Sequence, residues 1–491
     1  MTTERRPPPA HAVRALLGRG SIYTIALAIQ LGASIITVPI ATRLLPASQY
    51  GVIALASTIA GVVTAISACG LPNVLGRVFF DGEAGPPASQ RLILPSGLLA
   101  LAGAAIAGAT SPIWSAALDS GHHLLALNIA VASTVPAVIT ALCESYLRAA
   151  ERAKTFVAVT MLAGVVGQFT GVALVAVARH GDATDYLIGM GGGYVLSAAV
   201  ALAVIRPWRQ GFADTALMRA SLKIGLPLIP WGVAWLLLAL GDRIVIQSVS
   251  GSASVGRYQV AYTVGALSLT LVSTVASAWT PIVFGAAEER RWAVHRDTLA
   301  AILRLTALVS AGLAIAGPEV LRVATPSSYR EANLAPLVAL IAVSALPWAL
   351  YSSCNQIMLW HKDTKALAWI TPVAAVVNLA LVAALVPPLG LTGAGIATLV
   401  AYGLLAVLAN RQASAHVAVA WLTRPVVIAW TVCLPLAVFG AAVPTGGVWL
   451  FSRIALSVAV LVGFGFSVRG LVRAPADLAV PPAPTAVLTR L

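Results

Sequence analysis

Residues 41–55 read ATRLLPASQYGVIAL, a short polar interruption between two apolar stretches. The first stretch ends at an arginine and a proline, and apolar sequence resumes at Gly51. A short polar break between two segments that are each about long enough to cross a bilayer predicts a turn at a membrane surface. The same alternation continues along the chain, so this stretch indicates how the whole molecule is built.

The composition identifies lipid as the main solvent of this chain. Hydrophobic residues make up 59% of the 491 residues and charged residues only 10%, whereas soluble domains carry about 25% charged residues. One large core does not account for the difference, because single cores stop growing at roughly 250–300 residues. The chain is therefore predicted to be an all-α integral membrane protein.

Apolar runs of about 20 residues, the length that a spanning helix needs, occur fourteen times. The predicted spans are 20–44, 50–72, 92–117, 123–147, 155–179, 184–206, 221–249, 256–285, 298–322, 332–360, 365–386, 391–411, 425–443 and 447–469. The even number places both termini on the same side of the membrane.

The basic residues indicate which side that is. With the N-terminus in the cytoplasm, 24 of the 31 basic residues fall in cytoplasmic segments, as the positive-inside rule requires. The net charge of +14 is then explained by loops beside anionic lipid, and nucleic acid is not expected as a partner. Both termini are predicted to be cytoplasmic.

The opening stretch recurs once. ASQYGVIALAST at 47–58 resembles ASVGRYQVAYT at 253–263, and Gly51 aligns with Gly256. Each copy leads into the second helix of a six-helix set, which predicts two halves inserted in the same direction and related by a pseudo-twofold axis along the membrane normal. The predicted division is a basic tail (1–19), an N-terminal half (20–206), a linker (207–220), a C-terminal half (221–411), two added spans (412–469) and a disordered tail (470–491).

Interruptions and polar residues within the spans give the candidate site. Spans 1 and 7 are predicted to be broken at Pro39, Pro227 and Pro230, and paired breaks point to a transport pathway. Gln30 lies near the membrane centre and either lines a cavity or joins helices. Asp242 and Arg243 are functional charges, or else an outer anchor or a packing pair, and Arg77 is a cavity residue or a positive-inside anchor. Gln168 and Asn378 are expected to join helices.

The sequence does not support a metal site or a nucleotide-binding site. The four cysteines are widely spaced, and His122 and His123 lack a third ligand nearby. There is no phosphate-binding P-loop motif, so direct use of ATP is not expected. We expect no cofactor and no enzymatic activity.

Four segments together resemble the polysaccharide branch of the MOP (multidrug/oligosaccharidyl-lipid/polysaccharide) superfamily, the Wzx-type flippases. They are ATRLLPASQYGVIAL at 41–55, CGLPNVLGRVFF at 69–80, GDRIVI at 241–246 and GRYQVAY at 256–262. The arrangement of twelve helices in two halves plus two more is also usual in that branch. The likeness extends over about residues 18–470.

The resemblance implies a V-shaped bundle in which spans 1, 2, 7 and 8 line a cationic cavity. It implies alternating access that moves a polyprenyl-(pyro)phosphate-linked oligosaccharide to the outer leaflet of a bacterial cell membrane. Coupling to a proton or sodium gradient, and cooperation with a polysaccharide polymerase and glycosyltransferases, are also implied.

Departures from related groups favour the oligosaccharide branch. Lipid II flippases carry arginines in the first span, and none occurs between Ser21 and Thr42. Drug exporters usually have twelve helices and often an acid in that span, which is absent here. A cation-coupled multidrug exporter remains the first alternative, and a membrane glycosyltransferase or polymerase the second.

Overall fold

A computed structural model describes residues 29–30, 32–118, 120–178, 181–286, 288–329, 333–417, 424–443 and 448–472. These residues form helices and connecting turns, and none of them is in a β-strand. The all-α fold expected from the composition is confirmed. The basic tail (1–19), the beginning of span 1 and nearly all of the C-terminal tail lie outside the described residues.

The N-terminal half contains ten helices among the described residues. They are α1 (Gly32–Leu44), α2 (Ala47–Ser67), α3 (Leu71–Val78), α4 (Gly85–Ala109), α5 (Ser111–Ala117), α6 (Leu124–Ala132), α7 (Thr134–Ala149), α8 (Ala153–Met161), α9 (Gly167–Val177) and α10 (Ala183–Ile205). A π-helical turn at Leu162–Val166 joins α8 to α9.

The C-terminal half and the two added spans follow. The half contains α11 (Thr215–Gly225), α12 (Ile229–Leu240), α13 (Asp242–Gly265), α14 (Leu267–Gly285), α15 (Glu288–Ala324), α16 (Ala335–Val343), α17 (Ala345–Trp360), α18 (Thr364–Leu389) and α19 (Leu391–Ala413). The added spans are α20 (Arg424–Ala442) and α21 (Val448–Val472). Helix α13 consists of two helices that meet at Gly251, whose φ of 75° is left-handed.

The described helices agree with a chain that crosses a membrane many times. Eleven helical segments are long and apolar enough to span a bilayer, and three shorter apolar helices occur at Gly32–Leu44, Leu267–Ala276 and Val426–Ala442. Each of these overlaps a span predicted from the sequence. The protein is a multi-pass membrane protein, and the exact number of crossings stays a prediction.

The predicted helix breaks have different outcomes. Helix α1 continues through Pro39, so the break expected there is wrong. A proline removes only one helical hydrogen bond, and membrane helices tolerate that loss. Span 7 is interrupted as predicted: α11 ends at Gly225, a 3₁₀ turn contains Pro227, and α12 begins with Pro230 in its first turn.

Close packing through small residues organises the N-terminal half. A methyl group on Gly171 of α9 would stand 2.7 Å from the carbonyl oxygen of Tyr186 on α10, and one on Gly189 would overlap the Gly171 backbone. Such close approach gives van der Waals contact, which holds helices together where lipid supplies no hydrophobic driving force. Gln168 strengthens the half by accepting hydrogen bonds from Ser34 (3.2 Å) and Thr37 (2.9 Å) of α1.

A buried arginine attaches the two added helices to the C-terminal half. Arg453 of α21 is 1% exposed. Its guanidinium donates to the carbonyl oxygen of Ile315 on α15 (2.7 Å) and to that of Gly440 on α20 (2.7 Å). It also donates to the Val443 carbonyl just after α20. One side chain thereby satisfies backbone acceptors on two neighbouring segments.

Candidate functional site

The two halves touch through the repeated glycines at the predicted outer face. Helices α2 and α13 make the most extensive helix–helix contact among the described elements. A methyl group on Gly51 would overlap the Ser252 carbonyl and stand 2.9 Å from the Gly256 nitrogen. A methyl group on Gly256 would overlap the Ala47 carbonyl and stand 3.0 Å from the Gly51 nitrogen. A pseudo-twofold axis between the halves places equivalent residues against each other in this way.

The residues before Gly51 bind the end of helix α15. Arg43 donates to the Val323 carbonyl (2.6 Å) and to its own helix at Pro39 (2.9 Å). Thr42 donates to the Ala324 carbonyl at 2.8 Å. The last carbonyls of a helix lack partners within it, so the end of α1 supplies donors to the end of α15.

Tyr329, which follows α15, completes this contact between the halves. Its buried hydroxyl donates to the Leu45 carbonyl at 2.9 Å, and its ring meets the Tyr50 ring edge to face at 6.3 Å. The stretch from Thr42 to Gly51 therefore contacts the C-terminal half along most of its length. We call these contacts the outer closure.

A second contact between the halves lies at the predicted cytoplasmic face. A methyl group on Gly70, which follows α2, would overlap the carbonyl of Gly225 at the end of α11. One on Gly225 would overlap the Cys69 carbonyl. We call this contact the inner closure. The described halves thus touch near both ends of α2.

A cavity of about 320 Å³ lies between these two contacts. Its walls are residues 57–65 of α2, 130–137 of α6 and α7, and 187–194 of α10, and Leu236 of α12 covers it from the C-terminal half. Hydroxyl groups make up its polar lining, from Ser57, Thr64, Ser133, Thr134 and Tyr194. None of the described lining residues is charged, unlike the cationic cavity that the resemblance implied.

Asp242 lies at the centre of a buried polar network in the C-terminal half. It is 0% exposed. Asn378 of α18 donates to its Oδ1 at 2.7 Å, and Tyr258 of α13 and Thr398 of α19 (3.3 Å) donate to its Oδ2. Buried polar groups are stable only when they are hydrogen-bonded. This carboxylate therefore holds three helices together, and Asn378 joins helices as predicted.

The network also contains the oxygen ligands that a small cation prefers. The Asn378 Oδ1 atom is buried and has no hydrogen-bond partner among the described residues. Carboxylate, amide and hydroxyl oxygens suit hard cations. The described chain nevertheless contains no cluster of three or more His, Cys, Asp or Glu side chains that could hold a metal ion.

Arg243 is adjacent to Asp242 in sequence but has different partners. Its Nε donates to Gln259 Oε1 (3.0 Å), and its Nη1 donates to the Ala239 carbonyl (2.9 Å). The guanidinium also lies 4.2 Å from the ring centre of Tyr262, a distance that allows a cation–π interaction. Arg243 is 1% exposed, so it supports the interior of the C-terminal half.

The four predicted cavity residues occupy three separate places. Asp242 and Arg243 lie inside the C-terminal half. The carboxamide of Gln30 packs on Gly164, where any side chain would overlap it, within the π-helical turn. Arg77 is exposed near the end of α3. None of the four lines the 320 Å³ cavity, and their role in substrate binding stays a prediction.

Several residues of this region were not identified from the sequence. Tyr258 lies within the segment GRYQVAY, and Thr398 lies within an apolar span with no local signal that marks it. The five hydroxyl residues of the cavity look unremarkable in sequence because Ser and Thr are common in membrane helices. The sequence signal that points to these residues is their spacing, because Ser57, Gly61 and Thr64 lie on one face of α2.

Comparison with known proteins places this geometry in context. The polysaccharide biosynthesis protein family matches residues 17–286. The lipid II flippase MurJ in an inward closed conformation has a TM-score of 0.70 at 15% identity, over 92% of this chain and 99% of that one. An inward-facing multidrug resistance MATE family transporter of the MOP superfamily has a TM-score of 0.60 at 14% identity, over 79% and 95%.

A third structure shares the fold less closely. A MOP superfamily transporter from Pyrococcus furiosus has a TM-score of 0.51 at 15% identity, over 84% of this chain and 98% of that one. At these identities the structural matches establish a common fold. No curated protein matches the sequence.

Proposed function

Because this chain belongs to the polysaccharide biosynthesis protein family, we propose that it is a flippase for a polyprenyl-(pyro)phosphate-linked oligosaccharide. It moves the substrate from the inner to the outer leaflet of a bacterial cell membrane for polysaccharide or cell-envelope assembly. Both termini lie in the cytoplasm. A polysaccharide polymerase and glycosyltransferases act before and after it.

The observation that carries the proposal is a cavity between two closures. The halves meet at Gly51 and Gly256 on one face and at Gly70 and Gly225 on the other, with the cavity between them. At both contacts glycines bring backbone against backbone, and at the outer closure side-chain hydrogen bonds from Thr42, Arg43 and Tyr329 add to the contact. Opening one closure at a time gives the cavity access to each side in turn, which is alternating access.

The lipid part of such a substrate has no reason to leave the bilayer. Each methylene group buried in lipid contributes about 0.8 kcal/mol, so a long polyprenyl chain stays among the acyl chains. Only the polar head has to cross, and the cavity covered by Leu236 lies on that path. Transport then requires a polar route between the halves and a way for the lipid to pass beside them.

Asp242 is the residue through which we infer that an ion gradient acts. Its carboxylate is buried, and Tyr258, Asn378 and Thr398 donate to it from three helices. Protonation, or a monovalent cation beside the carboxylate, changes the hydrogen-bonding capacity at this junction. A change there alters how α13 packs, and α13 also carries Gly256 of the outer closure. The network suits either a proton or a sodium ion.

The multidrug exporter is the second candidate, favoured by the shared MATE fold. It predicts that overexpression lowers the susceptibility of a host strain to cationic drugs. A membrane glycosyltransferase is less well supported, because the segments outside the apolar helices in the described chain are turns and short helices.

A deletion strain tests the proposal directly. Loss of the gene should make lipid-linked oligosaccharide accumulate in the inner leaflet, and a plasmid copy should restore export. The pool is extracted and quantified by mass spectrometry, and its leaflet is determined by accessibility to a glycosidase added outside the cell. An unchanged pool combined with an altered drug susceptibility would replace the flippase by the exporter.

A further inference from the structure

The lining of the 320 Å³ cavity indicates which part of a substrate it accepts. Its polar groups are hydroxyls, and its remaining walls are small or apolar residues such as Ala60, Gly61 and Met190. Small-molecule sites range from roughly 300 to 1,000 Å³. This cavity is at the lower end of that range, so it suits one or two sugar rings and not a whole oligosaccharide.

Two of the five lining hydroxyl groups already donate to the protein backbone and are left as acceptors. Ser133 donates to the Ala130 carbonyl (2.7 Å) and Thr134 to the Val131 carbonyl (2.6 Å), both in the last turn of α6. A hydroxyl that donates once still has lone pairs with which to accept. Sugar hydroxyls supply the complementary donors, and Tyr194 adds a phenolic group that both donates and accepts.

An anion would find no favourable partner in this cavity. None of the described lining residues is a lysine or an arginine, and an isolated ion buried without a partner is strongly disfavoured. The acidic Glu144 lies on α7 seven residues beyond Ala137 of the lining, and therefore on the same face of that helix. It accepts a hydrogen bond from Thr160 (2.8 Å). The partner of Glu144 is on α8, so the exclusion of anions rests on the residues that line the cavity.

We propose that this cavity binds an uncharged sugar of the transported head group, and that the (pyro)phosphate and any acidic sugar stay outside it. The inference rests on the proposed flippase function and adds the site and the chemical class of its ligand. Leu236 covers the cavity, with its Cδ1 atom 2.9 Å from the position of a Cβ on Gly61. Separation of α12 from α2 uncovers the cavity, so the sugar enters when one closure opens.

A cysteine placed in the cavity provides the test. The reporter is Ser133→Cys, in a full-length protein in which the half-exposed Cys69 is replaced by serine; the other three native cysteines are buried. The matched control is Ser248→Cys, an exposed position on α13 outside the cavity. Maleimide labelling rates are measured in detergent for both.

Three probes separate the chemical classes. They are the oligosaccharide released by mild acid from the lipid-linked pool of the deletion strain, inorganic pyrophosphate, and the organic cation tetraphenylphosphonium. The released sugar should slow labelling at position 133 several-fold and leave position 248 unchanged. Protection of position 133 by pyrophosphate or by the cation, or no protection by the sugar, would overturn the assignment.

Removal of hydroxyl groups gives an independent measurement. Tyr194→Phe should weaken protection by the sugar by roughly tenfold, the effect of one lost hydrogen bond. Tyr186→Phe, on the same helix but outside the cavity, should leave it unchanged. Equal effects of the two variants would contradict a direct contact with Tyr194.

The two proposals fail in different ways. If the deletion strain accumulates no lipid-linked oligosaccharide, the flippase function is wrong. If the pool accumulates but the released sugar does not protect position 133, the function stands and the cavity assignment is wrong.

Discussion

At the scale of single residues, Asp242 illustrates how a membrane interior can hold a carboxyl group. Its carboxylate is fully buried but accepts three hydrogen bonds from neighbouring helices. Insertion scales assign about 2.5–3.5 kcal/mol to an aspartate at the centre of a membrane helix. The three donors offset much of that cost. Asp242 therefore joins helices and is also a group that can gain or lose a proton.

Substitution of Asp242 separates these two roles. Asp242→Asn keeps the shape and should fold, but transport should lose its dependence on a proton or sodium gradient. Asp242→Ala leaves the Tyr258 hydroxyl and the Asn378 amide without their acceptor, which costs about 1–3 kcal/mol each, so its thermal stability should fall. Flipping in proteoliposomes with imposed gradients, together with thermal unfolding, measures both. Gradient-dependent transport by Asp242→Asn would exclude Asp242 from coupling.

Arg43 acts at the outer closure, where its guanidinium reaches the end of α15. Arg43→Ala removes the hydrogen bond to Val323 and should shift the population away from the closed outer face by roughly fivefold, the equivalent of one net hydrogen bond. Arg43→Lys should retain part of the effect, because an ammonium reaches one carbonyl. Maleimide labelling of Ser254→Cys, on the opposing α13, reports the opening. Identical labelling of all three proteins would show that Arg43 does not hold this closure.

At the scale of helices, small residues decide how closely neighbours pack. Gly171 and Gly189 allow α9 and α10 to touch backbone to backbone. The substitution Gly189→Leu should separate the helices and lower the melting temperature, because every side chain at that position overlaps the Gly171 backbone. Gly192→Leu on the same helix is the control, since a methyl group there meets nothing within 4 Å. If both variants melt at the same temperature, close packing at Gly189 contributes nothing.

The last two helices, α20 and α21, are attached through polar contacts and not through close glycine packing. Arg453 joins α20 and α21 to α15 through backbone carbonyls on two segments. A bidentate, planar donor suits this geometry better than a flexible ammonium. Arg453 lies near the start of the last predicted span, and its burial against these carbonyls satisfies its guanidinium within the protein.

At the scale of the whole molecule, substitutions at the two glycine contacts should open opposite closures. Gly51→Ala places a methyl group on the Ser252 carbonyl and should open the outer closure, which raises labelling of Ser254→Cys. Gly225→Ala overlaps the Cys69 carbonyl and should open the inner closure. Burial raises the pKa of the Cys69 thiol, and the thiolate is its reactive form, so opening should speed labelling of Cys69.

A substitution on α1 that has room for its methyl group provides the control for both variants. Gly32→Ala adds a methyl group that meets nothing within 4 Å, so it should change neither rate. If Gly51→Ala raised the labelling rates of both Ser254→Cys and Cys69, the protein would be loosened in general. That result would contradict two closures that open separately.

The membrane class, the all-α fold and the family followed from the sequence because they depend on properties that add along the chain. Low charge, runs of about 20 apolar residues and the order of loose motifs are local signals that need no contact information. The turn at residues 41–55 and its echo near Gly256 were also visible, and the structure places the two aligned glycines against each other.

Contacts between distant segments were decided only by the tertiary structure. The sequence grouped Gln30, Arg77, Asp242 and Arg243 by polarity and depth, but polarity does not specify which direction a side chain faces. Folding places Asp242 against Asn378 and Thr398, which are 136 and 156 residues away, and leaves the cavity to hydroxyl groups of α2, α7 and α10. The sequence of a membrane helix determines that it inserts, because insertion depends on composition; the partner of each polar group depends on helix packing.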